Sequence, residues 1–462
     1  MKQYSKLPAA SIFLFFLILS SCQKESQVPI SEESKTSSIQ SKQPLEPGFS
    51  ENDMVMYWND KVATVLSAPM TQPTRSRYFA IIEIAVHDAL NNIKPKFQRY
   101  ALLNEREQFA SPDAAVASAA YWAIKGLNRQ GAFPIDTWYN ESLATIPDGE
   151  SKELGITLGK HAAEAIIANR ANDGITQVLA TSVNPPDGTT PGAYRHTNLL
   201  NVRYVPNWGT VMQPYVIVSN DQFRPAGPFA VSSSEYAADY NEVKAKGARV
   251  GSSRNTEEET LARFWADNKP SIVWNNFARN IIGTKKMDAW KTARLFAILH
   301  TAIADGVNSS LEAAYHFYSW RPETAIREGD NDNNTATTAD ASWIPFIVEG
   351  PNANPAANFV SPPIPEYPAT YAVNGGIVAG VLQLFFETDK IEIDFTSITL
   401  PGTSLHYSSI AHAARDNSLS KIYEGWHFRK AVIDGEALGM SVGNYVFNHH
   451  FQESVDLSLI HI

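Results

Sequence analysis

The chain contains a single cysteine, Cys22, in 462 residues. One thiol excludes structural disulfides within the chain and argues against a cysteine nucleophile. Positive charge is also scarce, with 38 Lys and Arg against 48 Asp and Glu and a net charge of −10 at pH 7. That balance argues against nucleic acid as a partner and predicts no basic surface field, while a local basic pocket remains open. The eleven histidines include no His-Glu-x-x-His pair, so no zinc-binding helix is apparent. There is no Gly-x-Ser-x-Gly elbow and no glycine-rich phosphate loop ending in Lys-Ser/Thr, and the corresponding hydrolase and nucleotide chemistries fall away. Internal repeats and sustained strand alternation are absent too.

What is present begins at the N-terminus. Lys2 and Lys6 precede an apolar run, Ile12 to Leu19, that is too short to span a bilayer and has the layout of a secretory signal. Leu19-Ser20-Ser21-Cys22 resembles a bacterial lipobox, in which the cysteine is acylated and becomes the first mature residue. The expectation is a signal peptide over 1–21 and a lipid anchor on Cys22, with the protein held at the cell envelope, on the outer membrane. Residues 22–50 are polar, Ser-rich and poor in aromatics, a composition that cannot bury enough surface to fold, and read as a flexible tether. The remaining residues, about 410, suffice for one large domain or two merged helical lobes.

Helical periodicity dominates that remainder. Residues 77–93 place Phe79, Ile82, Val86 and Leu90 on one stripe. Ser111-Pro112 opens an Ala-rich helix to Lys125, and residues 151–172 form another that Asp173-Gly174 stops. Further helices are expected at 234–247, 255–266, 286–313, 372–386, 407–421 and 433–450. Two irregular segments, 175–230 and 328–368, join them; segments of such length are usually functional or packed across a face. The fold class expected is all-α, two merged helix bundles divided near residue 230 into parts 51–230 and 231–462. Within it, His87 and His161 read as packed, hydrogen-bonded histidines, and His449-His450 as a solvated helix end.

Three stretches carry more specific chemistry. Residues 315–327 contain Trp320-Arg321-Pro322, residues 361–376 are a proline-stiffened loop feeding a helix at Ala369-Thr370-Tyr371, and residues 418–428 contain Ser420-Lys421 and Gly425-Trp426-His427. Together they supply a guanidinium, a helix N-terminus, an ammonium and an imidazole, which is what a tetrahedral oxyanion requires.

Their order and spacing resemble the superfamily that joins vanadium-dependent haloperoxidases to type-2 phosphatidic acid phosphatases and bacterial acid phosphatases, the soluble secreted haloperoxidase-like branch above all. The superfamily motifs are Lys, six residues, Arg-Pro; then Pro-Ser-Gly-His; then Ser-Arg followed by a histidine that ligates vanadate or attacks phosphate. The resemblance implies an all-α, two-bundle fold with the pocket at a bundle end, and vanadate as a candidate cofactor. By the same resemblance Arg321 grips oxyanion oxygens, and His427 stands at the vanadate-ligand or nucleophile position. Ser420 and Pro368 are kept and Lys421 replaces the arginine.

The departures are as specific as the matches. Ala314 stands where the first motif has lysine, and Ala369, Thr370 and Tyr371 replace Ser, Gly and the acid–base His. Ala431 replaces an aspartate that many members place four residues after the histidine, which leaves Asp434 as the nearest acid following His427 in sequence. Lysine at 421 keeps charge but loses bidentate geometry. Charge-assisted hydrogen bonds contribute roughly 1.5–3 kcal/mol each, so three missing donors weaken an oxyanion by several powers of ten unless something compensates. Thr370 still offers a hydroxyl and a backbone N–H, whereas a phenol with a reference pKa near roughly 10 is a poor proton shuttle. Three functions follow as expectations: peroxide-dependent halide oxidation in a remodelled pocket, using Tyr371 or His316; an inactive homologue that keeps the fold and binds another small ligand or partner; or phosphomonoester hydrolysis through a phosphohistidine.

Overall fold

The computed structural model describes residues 53–181, 183, 185–196, 206–267, 269–347 and 361–454. The expected signal, Cys22 and the tether lie outside these residues. All described residues belong to one compact unit, Leu45–Ile462.

Helices make up almost all of the regular structure, as the periodicity predicts. The first half contains α1 (Asp53–Leu66), α2 (Gln72–Ile93), α3 (Pro112–Gly126), α4 (Ile135–Ala144), α5 (Glu150–Asn169) and the short α6 (Ile175–Thr181) and α7 (Trp208–Val211). The second half contains α8 (Ser234–Lys246), α9 (Thr256–Phe264), α10 (Pro270–Ile282), α11 (Ala289–Phe317), α12 (Pro322–Arg327), α13 (Thr370–Phe386), α14 (Ile410–Tyr423) and α15 (Arg429–His449). Their starts are chemically marked. Thr71, Ser111, Ser233, Asn255, Asp288 and Ser409 each cap a helix through the side chain. Between α13 and α14 lies an antiparallel hairpin, β1 (Lys390–Thr396) and β2 (Ser404–Ser409). β1 alternates exposed and buried along its whole length, a period-two signal too short to stand out among helices. The helix expected at 407–421 therefore begins only at Ile410.

The long helix α11 is the axis of the molecule, buried along nearly its whole length. Segment 206–230 packs across it: buried Asp305 accepts the backbone N–H groups of Tyr215, Val216 and Ile217 at 2.6, 2.8 and 3.1 Å. Trp208 Nε1 donates to Asn308 at 2.7 Å. Helices α13 and α15 also approach closely. Gly435, Gly439 and Gly443 recur every fourth residue and so share one face of α15. A Cβ on Gly439 would collide with Val373 O, and one on Gly435 would stand 2.7 Å from Ala369 O. That contact brings Ala369 N–H within 3.0 Å of Ala431 O, fixing the start of α13 against α15.

His87 is fully buried, bonded to Asp88 at 3.1 Å and edge-on to Phe451. His161 is instead exposed, though hydrogen-bonded as expected, with Nδ1 2.9 Å from Glu105 Oε1. His449 is exposed and stacks on Tyr445. Residues 452–454 clasp the turn after α2: Gln98 N–H donates to Gln452 O at 2.8 Å and Ser454 N–H to Lys96 O at 2.9 Å. No helix among the described residues is long and apolar enough to cross a membrane.

The glycine contact is directly testable. Gly439→Ala should lower unfolding free energy in urea by roughly 2–4 kcal/mol. Gly283→Ala, exposed and right-handed at the end of α10 with its nearest atom 3.4 Å away, should change it little.

Candidate functional site

Three turns converge at one end of the α11–α13–α15 group. The first follows α11, where Tyr318 adopts a left-handed conformation (φ 50°) and the chain re-enters a helix at Pro322. Proline at that position needs no N–H partner, and Arg321 before it makes no capping bond. Its side chain turns inward: Nε donates to Ile364 O at 2.8 Å, and Nη1 to Trp426 O and His427 Nε2, both at 3.0 Å. Only 1% of Arg321 is exposed.

The second turn is the proline loop over 361–369. Ser361 donates through its N–H and hydroxyl to Glu323 at 3.0 and 2.6 Å, and Glu366 N–H donates to Ser319 O at 3.0 Å. The loop is thereby tied to the α11–α12 connection. The third turn, between α14 and α15, requires Gly425: its φ is +86°, and a Cβ there would stand 2.5 Å from Gly247 O. Beyond it, Trp426 and His427 both donate their N–H groups to Lys421 O, which aims the imidazole inward.

His427 is the centre of a linear relay. A guanidinium is a donor only, so His427 Nε2 accepts from Arg321 and the ring proton resides on Nδ1, which donates to Glu366 Oε1 at 3.2 Å. Burial, reinforced by the charges of Arg321 and Lys421, holds the imidazole well below its ordinary pKa. Glu366 Oε1 also accepts Phe428 N–H at 2.9 Å. Burial pushes this carboxyl up to about 8, against the opposing pull of that hydrogen bond and of Arg321. Glu366, not Asp434, therefore orients the histidine. Asp434 instead accepts Tyr367 OH and pairs with Lys430 at 2.8 Å.

Lys421 is fully buried; its Nζ donates to Trp265 O at 2.8 Å and Glu424 Oε1 at 2.7 Å. Its ammonium also lies 4.5 Å from the Tyr371 ring centroid and 5.7 Å from that of Trp426. The Tyr371 and Trp426 rings are 5.9 Å apart. Arg321, Tyr371, Lys421 and His427 thus form one continuous cluster. Thr370, at the first position of α13, shares a 2.5 Å hydrogen bond with Ser310 on α11. Ala314 is fully buried, and His316 is exposed against Phe317, outside the cluster.

Two residues of this site escaped the sequence reading. Glu366 lies inside the proline loop, in a position whose chemistry only the fold reveals. Glu424 had a local signal, since it follows Lys421 by three residues on a helix, the spacing of an intrahelical ion pair.

This donor set does not fit a resident vanadate. The histidine nitrogen that would face vanadium is capped by Arg321, and Lys421 is neutralised by Glu424. Two cations therefore share the site with the Glu424 carboxylate and with the Glu366 carboxyl, whose protonated form burial favours. An oxyanion would have to displace Glu424 from Lys421 and Arg321 from His427, and removing one member of a buried ion pair costs about 3–5 kcal/mol.

Comparison with known proteins agrees with the sequence resemblance. Residues 294–455 match the family described as the VCPO second helical-bundle domain. The vanadium chloroperoxidase of Curvularia inaequalis is 21% identical, over 83% of this chain and 80% of that protein. Among solved structures, the first bacterial vanadium-dependent iodoperoxidase superposes with a TM-score of 0.73 at 22% identity, covering 88% of this chain and 99% of that one. An apo-type bacterial vanadium-dependent chloroperoxidase gives a TM-score of 0.64 at 15% identity, over 82% and 93%. These likenesses extend to the helical fold.

The elevated Glu366 carboxyl has a measurable sign. A folded-state pKa raised from 4.5 to about 8 means that the folded chain holds a proton the unfolded chain releases, so this group's contribution is lost as pH rises between those values. Glu366→Gln removes that loss. Its stability relative to the parent in urea should rise from pH 5 to pH 8, by about 1–3 kcal/mol.

Proposed function

We propose that this chain, which belongs to the vanadium-dependent haloperoxidase superfamily, carries an oxyanion pocket rebuilt around its own ion pairs and does not sustain peroxide-dependent halide oxidation. The observation that carries this reading is the Lys421–Glu424 pair at 2.7 Å. A carboxylate occupies the ammonium that would otherwise grip an anion. The side chains that the family's chemistry would need nearby are also changed. Tyr371 stands at the acid–base position with a half-buried phenol, and fully buried Ala314 replaces a cation. Loss of a general acid–base alone costs on the order of 10²–10⁴ in rate.

A second reading rests on His427. Glu366 fixes its tautomer with the Nε2 lone pair directed into the cluster, the arrangement a phosphohistidine nucleophile or a vanadate ligand needs. Were Arg321 to swing off Nε2, its guanidinium and that lone pair could serve an oxyanion together. The N-terminal sequence supports placing the protein at the cell envelope, anchored through Cys22.

The readings separate experimentally. The purified chain, incubated with orthovanadate, hydrogen peroxide and bromide or iodide, should show no halogenation above the background of free vanadate, and no hydrolysis of p-nitrophenyl phosphate. Turnover abolished by His427→Ala would overturn the first reading. Glu424→Gln should raise orthovanadate or phosphate affinity by at least about tenfold in calorimetry, because it releases the Lys421 charge. Labelled palmitate should enter the parent chain in bacteria and fail to enter Cys22→Ser.

A further inference from the structure

Beside Glu366 lies a cavity of about 70 Å³. One water needs roughly 10–15 Å³ on this measure, so the space admits a molecule of a few heavy atoms. Its walls are aromatic: Phe229, Tyr236, Trp320, Tyr367 and Phe428 all contribute. Set among these rings are two buried carboxylates, Glu366 and Asp239, which are 1% and 8% exposed. Both hydrogen bonds of Glu366 fall on Oε1, so Oε2 has no hydrogen-bond partner among the described residues. Ser319, 6% exposed and also in the wall, has a buried hydroxyl without a hydrogen-bond partner.

Each candidate ligand class meets a different fate here. A purely apolar molecule would leave the carboxylate oxygen and the hydroxyl unsatisfied. An anion would face Glu366, Asp239 and, behind Tyr367, Asp434. The one cation in the wall, Lys430, is held by Asp434 at 2.8 Å and sits 5.2 Å from the Phe229 ring centroid, so an ammonium already uses the aromatic rim. A primary ammonium with a short apolar tail satisfies all the constraints. Its three N–H donors match Glu366 Oε2, Asp239 and Ser319 Oγ, its charge favours the ionised form of both carboxyl groups and meets the ring faces, and its tail packs among the aromatics. We propose that this cavity is a binding site for a small primary alkylammonium ion, separate from the oxyanion cluster and sharing only Glu366 with it. The site does not depend on whether the cluster binds an oxyanion.

The test uses the purified full chain and n-propylammonium chloride as probe, titrated by calorimetry at constant ionic strength. Saturable binding is expected, with a millimolar dissociation constant for so small a ligand. Propan-1-ol, of equal length and uncharged, should bind at least about tenfold more weakly. Glu366→Gln and Asp239→Asn should each weaken the ammonium by about tenfold or more, and Val231→Trp at the rim should block it by filling the space. If Glu366→Gln does not fold, the other two variants carry the test. Absence of saturable binding up to about 100 mM, equal binding of propan-1-ol, or unchanged affinity in both Asp239→Asn and Val231→Trp would overturn the proposal.

Discussion

The close approach of α13 and α15 is the constraint on which the site depends. Two helices meet at such a distance only when one presents a face without side chains, and Gly435, Gly439 and Gly443 provide it. The approach places Ala369 N–H on Ala431 O and so fixes Thr370 and Tyr371 relative to the turn that carries His427. Everything polar in the cluster is then arranged over a rigid joint.

Charge follows a different rule from shape. An oxyanion site is an excess of buried donors. Arg321 and Lys421 are buried cations, and Glu424 and Glu366 satisfy them from within the chain. Glu424 does so by full ion pairing to Lys421. Glu366 does so through the histidine, whose fixed tautomer lets Arg321 donate to it. A buried carboxylate held near neutrality by desolvation is the result, and it opens on its far side into an aromatic chamber.

Much of this was legible in the residues. The positions of α2, α3, α5, α8, α9, α11, α13 and α15 followed from apolar stripes and helix-end residues, whereas α1, α4 and α10 were not anticipated; the motif spacing located Arg321, Tyr371, Lys421 and His427, which the fold gathers into one cluster. What stayed hidden had physical reasons. The β1–β2 hairpin alternates for only seven residues in its first strand, too few to register against long helices. The orienting acid was sought downstream of His427, at Asp434, whereas Glu366 reaches it across a 61-residue separation that local periodicity cannot see. His161 looked packed because its helix is amphipathic, yet its own position faces solvent.

The clasp between the turn after α2 and the segment following α15 has a kinetic consequence. Gln98 and Gln452 meet across 354 residues of chain, so the turn at 96–98 must wait for nearly the whole polypeptide before its last backbone partners arrive. Loop-closure entropy grows only slowly with length, so the clasp costs little at equilibrium, but contacts of such separation form late. Until those contacts form, α2 and the aromatic cluster of His87, Tyr100 and Phe451 therefore remain open on one side. The molecule closes as a belt closes, by its ends.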